Sequence, residues 1–459
     1  MREDNAAMSS VRAAAVAGMF YPGDARALAA EVDDLLGGVG VPVPRLGYPK
    51  ALVVPHAGYI YSGPVAARAY DELAAARGSV RRVVLLGPTH RVAVKGLAMP
   101  SAAAFATPLG TVRIDAEALR EVGDLPQVVA SDAAHALEHS LEVQLPFLQK
   151  VLGEFALAPF AVGRASVEEV AEVIERLWGG PETLVVVSTD MSHYHSYEQA
   201  RAIDGATIER IAAFATDIDH EEACGATPLN GLLFFSKQKN LSLKLLAACN
   251  SGDTAGGKGR VVGYSSFGLY EGGEVSLDDA GRTLLSLARA SIESNLLGRN
   301  VEDGAAAWLK QTGATFVTLT KNDALRGCIG SLAPSRPLGD DVEQNALGAA
   351  FRDPRFPAIT AAEWPQCKVE VSLLSTPKPL RFADEADLLE QIEAGEDGLI
   401  IEALIDGVVK RGTFLPQVWE DLPEKRAFLA QLLKKAGLPA DTRLTRCKVA
   451  RYRVVKWKE

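Results

Sequence analysis

The chain has 459 residues, 48% of them hydrophobic and 23% charged, and a formal net charge of -10. That length exceeds one ordinary core, so two or more domains are expected, and the composition is that of a globular protein. Residues 1–274 hold 23 Lys and Arg against 32 Asp and Glu, and residues 275–459 hold 25 against 26, so neither part has the net positive charge expected of a nucleic-acid binder.

At the N-terminus, "MREDNAAMSSVRAAAVAGMFYPGD" has only a short Ala/Val run before Tyr-Pro-Gly, and it does not read as a signal peptide. The segment 25–39 has helical spacing and ends at Gly-Gly. "KALVVPHAGY" (50–59) and "VRRVVLLGPTH" (80–90) share one pattern: an apolar run, a Pro and a His. "ETLVVVSTDMSH" (182–193) repeats it with a polar burst in place of the Pro. Helix-like segments at 63–78 and 166–178 alternate with these runs. Apolar strands alternating with amphipathic helices imply an α/β domain whose sheet is covered on both faces. Such sheets carry their chemistry beyond the carboxyl ends of the strands, where all three His-bearing stretches place their polar residues.

All seven histidines lie between residues 56 and 220. His56, His90, His139 and His193 sit in ordered contexts, and converging imidazoles could hold iron, zinc or copper. A satisfied core or loop histidine is the commoner fate of any one of them, and no local metal signature such as HExxH is present. Cys224 precedes an apolar helix-like run, where the helix dipole suits a thiolate ligand or nucleophile. A buried structural thiol weighs equally there.

The Gly-rich acidic segment 271–281 precedes a strong helix at 282–298 and marks the domain boundary. Downstream come strands at 315–320 and 367–375, a helix at 424–437 and a basic alternating strand at 446–458. This smaller part reads as α+β, with the last strand as a solvated edge. In "LRGCIGSL" (325–332) Cys328 stands between two glycines, in a tight turn that would expose the thiol. This part contains no histidine, so activation of Cys328 would fall to Arg326, to a carboxylate such as Asp353, or to the first domain. A small buried Cys in a turn is the bland alternative. The five cysteines form no CxxC pair, which suits free thiols in a reducing compartment, and no apolar run approaches a membrane span. The cytoplasm is the expected location.

"VAGMFYPGD", "PHAGYIYSGPVAARAY", "LLGPTH", "EHSLEVQLPFL", "STDMSHY", "ACGATPL" and "NSGDTAGG…VVGYSSFGLY" occur in this order. Together they resemble the Memo family over residues 9–272, and that family is similar to the class III extradiol dioxygenases of LigB-like fold. The resemblance implies a metal held by His56, His90 and Cys224, with Asp190 and His193 as the remaining polar residues. It gives His193 as general acid/base and Asp190 orienting it, with His139, Tyr59 and Ser192 lining a substrate pocket. The dioxygenases use a carboxylate where Cys224 stands, and a thiolate is softer and more easily oxidised. Iron(II) is the leading expectation, with copper or zinc as alternatives.

"LRGCIG", "DPRFP" and "TFLPQVW" resemble the AMMECR-type domain over residues 275–459, which nominates Cys328 as a second catalytic centre with Arg326, Asp353 and Arg355 beside it. The two resemblances together imply the AmmeMemoRadiSam system, in which such proteins accompany a radical S-adenosylmethionine enzyme. The leading expectation is a metal-dependent redox or oxygenase-like enzyme acting on a small molecule or peptide. A metal-stabilised interaction scaffold is the rival. A hydrolase using Ser192 or Ser188 is weaker, because "STDMSH" lacks the Gly-x-Ser-x-Gly elbow.

Overall fold

Four apolar strands build the middle of the first sheet. In the computed structural model, residues 10–41, 43–272, 275–298, 306–405, 407–439 and 442–459 are described. Ala156–Val162, Arg82–Pro88, Thr183–Ser188 and Ala51–Val54 lie side by side, each parallel to the next. Every residue of Ala51–Val54, Ala156–Val162 and Thr183–Ser188 is buried, as a sheet covered on both faces requires. Val261–Tyr270 adds to Ala51–Val54 antiparallel and itself pairs with Ser242–Asn250 and His193–His195. On the other side the sheet continues through Gly110–Ile114 and Ala104–Thr107 to Val11–Arg12.

The helices start where local chemistry supplies caps. Asp24 accepts from the Arg26 and Ala27 amides to open Ala25–Gly37, and a Ser166/Glu169 capping box opens Val167–Arg176. The helix expected at 63–78 instead runs Tyr59–Asp71 and is followed by a short turn at Ala74–Ala76. It begins directly after the His56 loop, with Gly58 as its N-cap and Pro64 inside it, where the helix lacks one N–H donor.

Contacts divide the described residues into two compact units, 1–39 with 48–274, and 40–47 with 275–459. The helix expected from 282 begins earlier, as Leu277–Leu297, because Ser276 caps the Asp279 amide and Asp278 and Asp279 suit its first turn. The second unit is α+β, with two four-stranded antiparallel sheets. One has the order Ala324–Gly330, Thr315–Lys321, Cys367–Leu374, Val454–Lys458; the other Lys378–Leu380, Lys448–Tyr452, Gly398–Ile405, Val408–Phe414. Leu284, Val342 and Ala346 from two helices share a buried core with Val317, Leu319, Val369 and Val371 of the first sheet. Phe428 and Leu432 of Lys425–Lys435 pack with Leu399 and Ile401 of the second.

The basic C-terminal run is not one strand. It breaks at Arg453, whose amide donates to Ser375 Oγ and whose carbonyl accepts from the Ser375 amide, and the two halves enter different sheets. Only Val454–Lys458 lies at an edge; Lys448–Tyr452 is flanked on both sides.

Candidate metal centre

The parallel strands set the site out by register. His56 and His90 each follow their strands Ala51–Val54 and Arg82–Pro88 by two residues, and Asp190 does the same after Thr183–Ser188. The turns therefore deliver these groups to one edge of the sheet, at its carboxyl end. The His56 and His90 rings lie 5.2 Å apart between centroids, and the His139 ring is 4.6 Å from His90 and 5.4 Å from His56. One donor atom each from His56, His90 and Cys224 falls within 4.8 Å of the others, and so does a second set of His90, Glu138 and His139.

Hydrogen bonds fix the state of two imidazoles. Ser188 Oγ donates to the Ser140 carbonyl at 2.6 Å, so its hydrogen is committed, and it accepts from Gln144 Nε2 at 2.8 Å. At 2.9 Å from His56 Nδ1 it can only accept again, which places the ring proton on Nδ1 and leaves Nε2 bare. That bare nitrogen faces Cys224 Sγ at 3.3 Å. Glu138 does the same for His90: one carboxylate oxygen is 2.9 Å from His90 Nδ1 and the other accepts the His90 amide at 2.6 Å. Burial alone would raise Glu138, but the bonds from His90 and the Ser140 amide outweigh it and hold the carboxyl at about 2. Glu138 is thus ionised and accepts from Nδ1–H, so Nε2 is the nitrogen that His90 has left for a metal.

Burial favours the neutral form of His56, His139 and His193. It pushes His56 well below the usual histidine range, with His139, His90 and His193 adding like-charge repulsion, and lowers His139 to about 4. Burial also lowers His193. The same desolvation, followed by the nearby Asp190 carboxylate, raises the Cys224 thiol to about 12. Cys224 is set by Gly225, where a Cβ would stand 2.7 Å from the Ser188 carbonyl and from Thr189 Cβ. Two imidazole nitrogens and a thiol at this spacing suit a divalent metal, whose ligands stand about 3.5 Å apart in a tetrahedral N/S site. A cation there would draw the proton off Cys224.

Asp190 has a different task from the one expected. Its carboxylate accepts the His56 amide at 2.7 Å, its carbonyl accepts the Cys224 amide at 3.2 Å, and its own amide points to Cys224 Sγ at 3.3 Å. It ties the His56 turn to the Cys224 turn, and His193 is instead bonded to the Met191 backbone. Tyr59 is a core residue: its hydroxyl donates to the Val143 carbonyl and its ring packs between Tyr21 and Phe147. Ser192 is fully buried with its amide on Asp204, so its hydroxyl is not open to solvent. His139 does join the cluster. Tyr194, between His193 and His195, is 63% exposed and holds a φ of 62°. That left-handed backbone costs a bulky residue about 1–3 kcal/mol.

Glu138, Ser188 and Gln144 carry the arrangement, a role for which nothing in their sequence neighbourhood marks them. Glu138 stands directly before His139 in "EHSLE", but its partner His90 lies 48 residues away, so the motif alone does not announce the pairing.

In the second unit, Cys328 lies in the edge strand Ala324–Gly330 and not in a turn. Gly327 is required by packing, since a Cβ would meet the Ala349 carbonyl at 2.1 Å. Asp353 accepts the Cys328 amide at 2.8 Å and Arg355 donates to the Cys328 carbonyl at 3.1 Å, so the pair caps the open edge in place of a further strand. Arg326 is occupied by Glu363, at 2.8 and 3.0 Å, and by the Pro357 carbonyl. It does not serve the thiol. Thr318 Oγ1 does, donating to Cys328 Sγ at 3.3 Å.

A parallel-centred α/β sheet with two histidines and a cysteine gathered at its strand ends defines a candidate metal-binding protein. The family model for Memo-like proteins matches residues 12–268, and the AMMECR1 model matches residues 285–457. The chain belongs to the Memo-like family, with an AMMECR1 domain following. A MEMO1 family protein of Ignicoccus hospitalis is 37% identical over 280 residues, covering 56% of this chain and 97% of the relative. One of Methanopyrus kandleri is 38% identical over 283 residues, covering 57% and 99%. A solved structure of an uncharacterised protein from Pyrococcus horikoshii is 34% identical, covers 39% of this chain and 91% of that one, and superposes with a TM-score of 0.35.

Proposed function

We propose that the first unit is a metal-dependent redox enzyme of dioxygenase-like type, with the ion held by His56 Nε2, His90 Nε2 and Cys224 Sγ. The observation that carries this is the pair of oriented rings: Ser188 and Glu138 each take the Nδ1 edge, so Nε2 is the nitrogen each ring has to offer an ion, with donor atoms of both rings close to one thiol. Iron(II) is the proposed ion, with copper or zinc as alternatives for a site that includes sulfur. Such an ion would supply redox or Lewis-acid chemistry at the strand ends. His193, neutral because it is buried, is poised to take a proton from substrate. Asp190, raised by burial to about 7, holds the two ligand turns together and can carry a proton near neutral pH.

Cys328 is proposed as a second thiol centre, with Thr318 as its donor. The joining of Memo-like and AMMECR1 parts in one chain supports work with a radical S-adenosylmethionine enzyme on a small molecule or peptide, in the cytoplasm. Among the described residues no helix is long and apolar enough to cross a membrane.

Metal analysis of protein purified without added metal tests the reading. About one equivalent of iron or copper, lost in His56→Ala and in Cys224→Ser, is the expected result. Folded protein that takes up no iron, copper or zinc from solution would refute it. Turnover of catechols and small aldehydes, with and without oxygen, then separates an enzyme from a scaffold.

A further inference from the structure

Arg260 directly precedes the Val261–Tyr270 strand, whose first residues Val261 and Val262 pair with His195 and His193. Its guanidinium lies over the Tyr194 ring, with Cζ 4.9 Å from the centroid. That ring in turn stands edge-on to His193 at 5.7 Å. Among the described residues Arg260 has no carboxylate partner and no hydrogen-bond acceptor. A guanidinium attracted to the face of a ring keeps its N–H edges free, and a fork of N–H donors matches a carboxylate or a phosphate.

The surroundings separate Arg260 from an ordinary surface arginine. Lys258 and Arg201 lie over the neighbouring Tyr197 ring at 4.4 and 5.7 Å, but both act on Asp253, which Tyr197 also binds. The loop is not loose: the Tyr197 amide donates to the Lys258 carbonyl at 3.2 Å, and the Gly256 amide to the Ser251 carbonyl at 2.7 Å. Arg91, exposed beside His90, is a further cation, whose field reaches His139. Glu221 is the carboxylate whose field reaches His193. In a unit with more acidic than basic residues, an arginine without a carboxylate partner, one ring away from His193, needs a reason. The strained, exposed Tyr194 that supports it needs one too.

We infer that Arg260, presented on the Tyr194 ring, receives the anionic end of the substrate, a carboxylate or a phosphate, while the reacting end lies at His56, His90 and Cys224. The inference rests on the metal-dependent reading of that centre for where the reacting end lies. The Tyr194 ring, and Phe20 at 4.8 Å from His139, supply apolar surface for the body between.

The test uses the full-length protein and reads two events separately. Cobalt(II) uptake is followed by its thiolate absorption band, and the binding of benzoate, inorganic phosphate and benzyl alcohol by calorimetry. Arg260→Met keeps the apolar stem over the ring, and Arg260→Lys keeps the charge. The expected result is anion binding tighter than that of benzyl alcohol, weakened about tenfold or more in Arg260→Met and partly recovered in Arg260→Lys, with cobalt(II) uptake unchanged. Benzoate bound without phosphate assigns a carboxylate, and the converse a phosphate. Equal anion affinity in wild type and Arg260→Met, or no preference for anions over benzyl alcohol, overturns the inference. If the wild type takes up no cobalt(II) yet loses anion binding in Arg260→Met, the metal reading fails and the anion receptor stands.

Discussion

Glu138→Gln removes the charge that holds His90 while leaving the shape of the side chain. In the wild type one carboxylate accepts from the His90 amide, His90 Nδ1, the His139 amide and the Ser140 amide. Glutamine offers one acceptor oxygen in place of two, so some of these donors lose their partner. The carboxyl sits at about 2 in the folded chain against an ordinary value of 4.5. That difference corresponds to about 3 kcal/mol of folding stability. The sign follows from proton uptake: between these values the unfolded chain binds more protons than the folded one. The stabilisation is therefore complete above the ordinary carboxylate range and lost as pH falls through the folded value. Calorimetry of the first unit's unfolding at pH 7 and again near pH 2.5 should show a deficit of about 3 kcal/mol in the variant at the higher pH that largely closes at the lower. Metal affinity should fall about 10- to 100-fold, as when a carboxylate behind a ligating histidine is lost. A deficit independent of pH, together with unchanged metal affinity, would show that Glu138 neither carries this charge nor sets the ring.

Three further outcomes are expected. Because Cys224 holds its proton up to about 12 in the metal-free chain, metal uptake should release that proton, and affinity should rise about tenfold per pH unit near neutrality; a competition titration showing no such slope would exclude thiolate ligation. Gly225→Ala puts a Cβ against the Ser188 carbonyl and Thr189; it should cost about 1–3 kcal/mol and weaken metal binding by displacing Cys224, and a variant with wild-type Tm and affinity would contradict the close approach. Asp353→Ala should uncap the edge strand and release Arg355, giving faster alkylation of Cys328 by iodoacetamide, read by peptide mass spectrometry, while buried Cys367 and Cys447 stay slow; an unchanged rate at Cys328 would remove the cap from the account.

The strands were legible because Ala51–Val54, Arg82–Pro88 and Thr183–Ser188 are short apolar runs ending in polar bursts, a pattern that a covered parallel sheet imposes directly. The motifs then placed His56, His90 and Cys224 near one another, and the structure brings donor atoms from all three together. What was not legible depended on partners far along the chain. Glu138 meets His90 across 48 residues and Ser188 meets His56 across 132, and no local pattern announces either. The resemblance gives Asp190 to His193, yet the strand-end turn directs its carboxylate back to the His56 amide. The glycines beside Cys328 suggested a turn, whereas packing against Ala349 demands one of them within a strand. The C-terminal run looked continuous because alternation is the same in two strands as in one, and only the Ser375–Arg453 exchange reveals the break.

The second unit takes in residues 40–47 as well as 275–459, and Leu46 packs against its core. The chain therefore enters that unit, leaves it to build most of the first, and returns. A protease that cut between Gly272 and Val275 would sever only one of the covalent crossings, and the second unit would still be held through 40–47. A fragment starting at 275 would lack Leu46 and leave apolar surface open to water. Dissection of this protein into working halves calls for two cuts or a rejoined chain, and a fragment that aggregates would reflect the missing segment before it reflected any failure of the AMMECR1 part to fold.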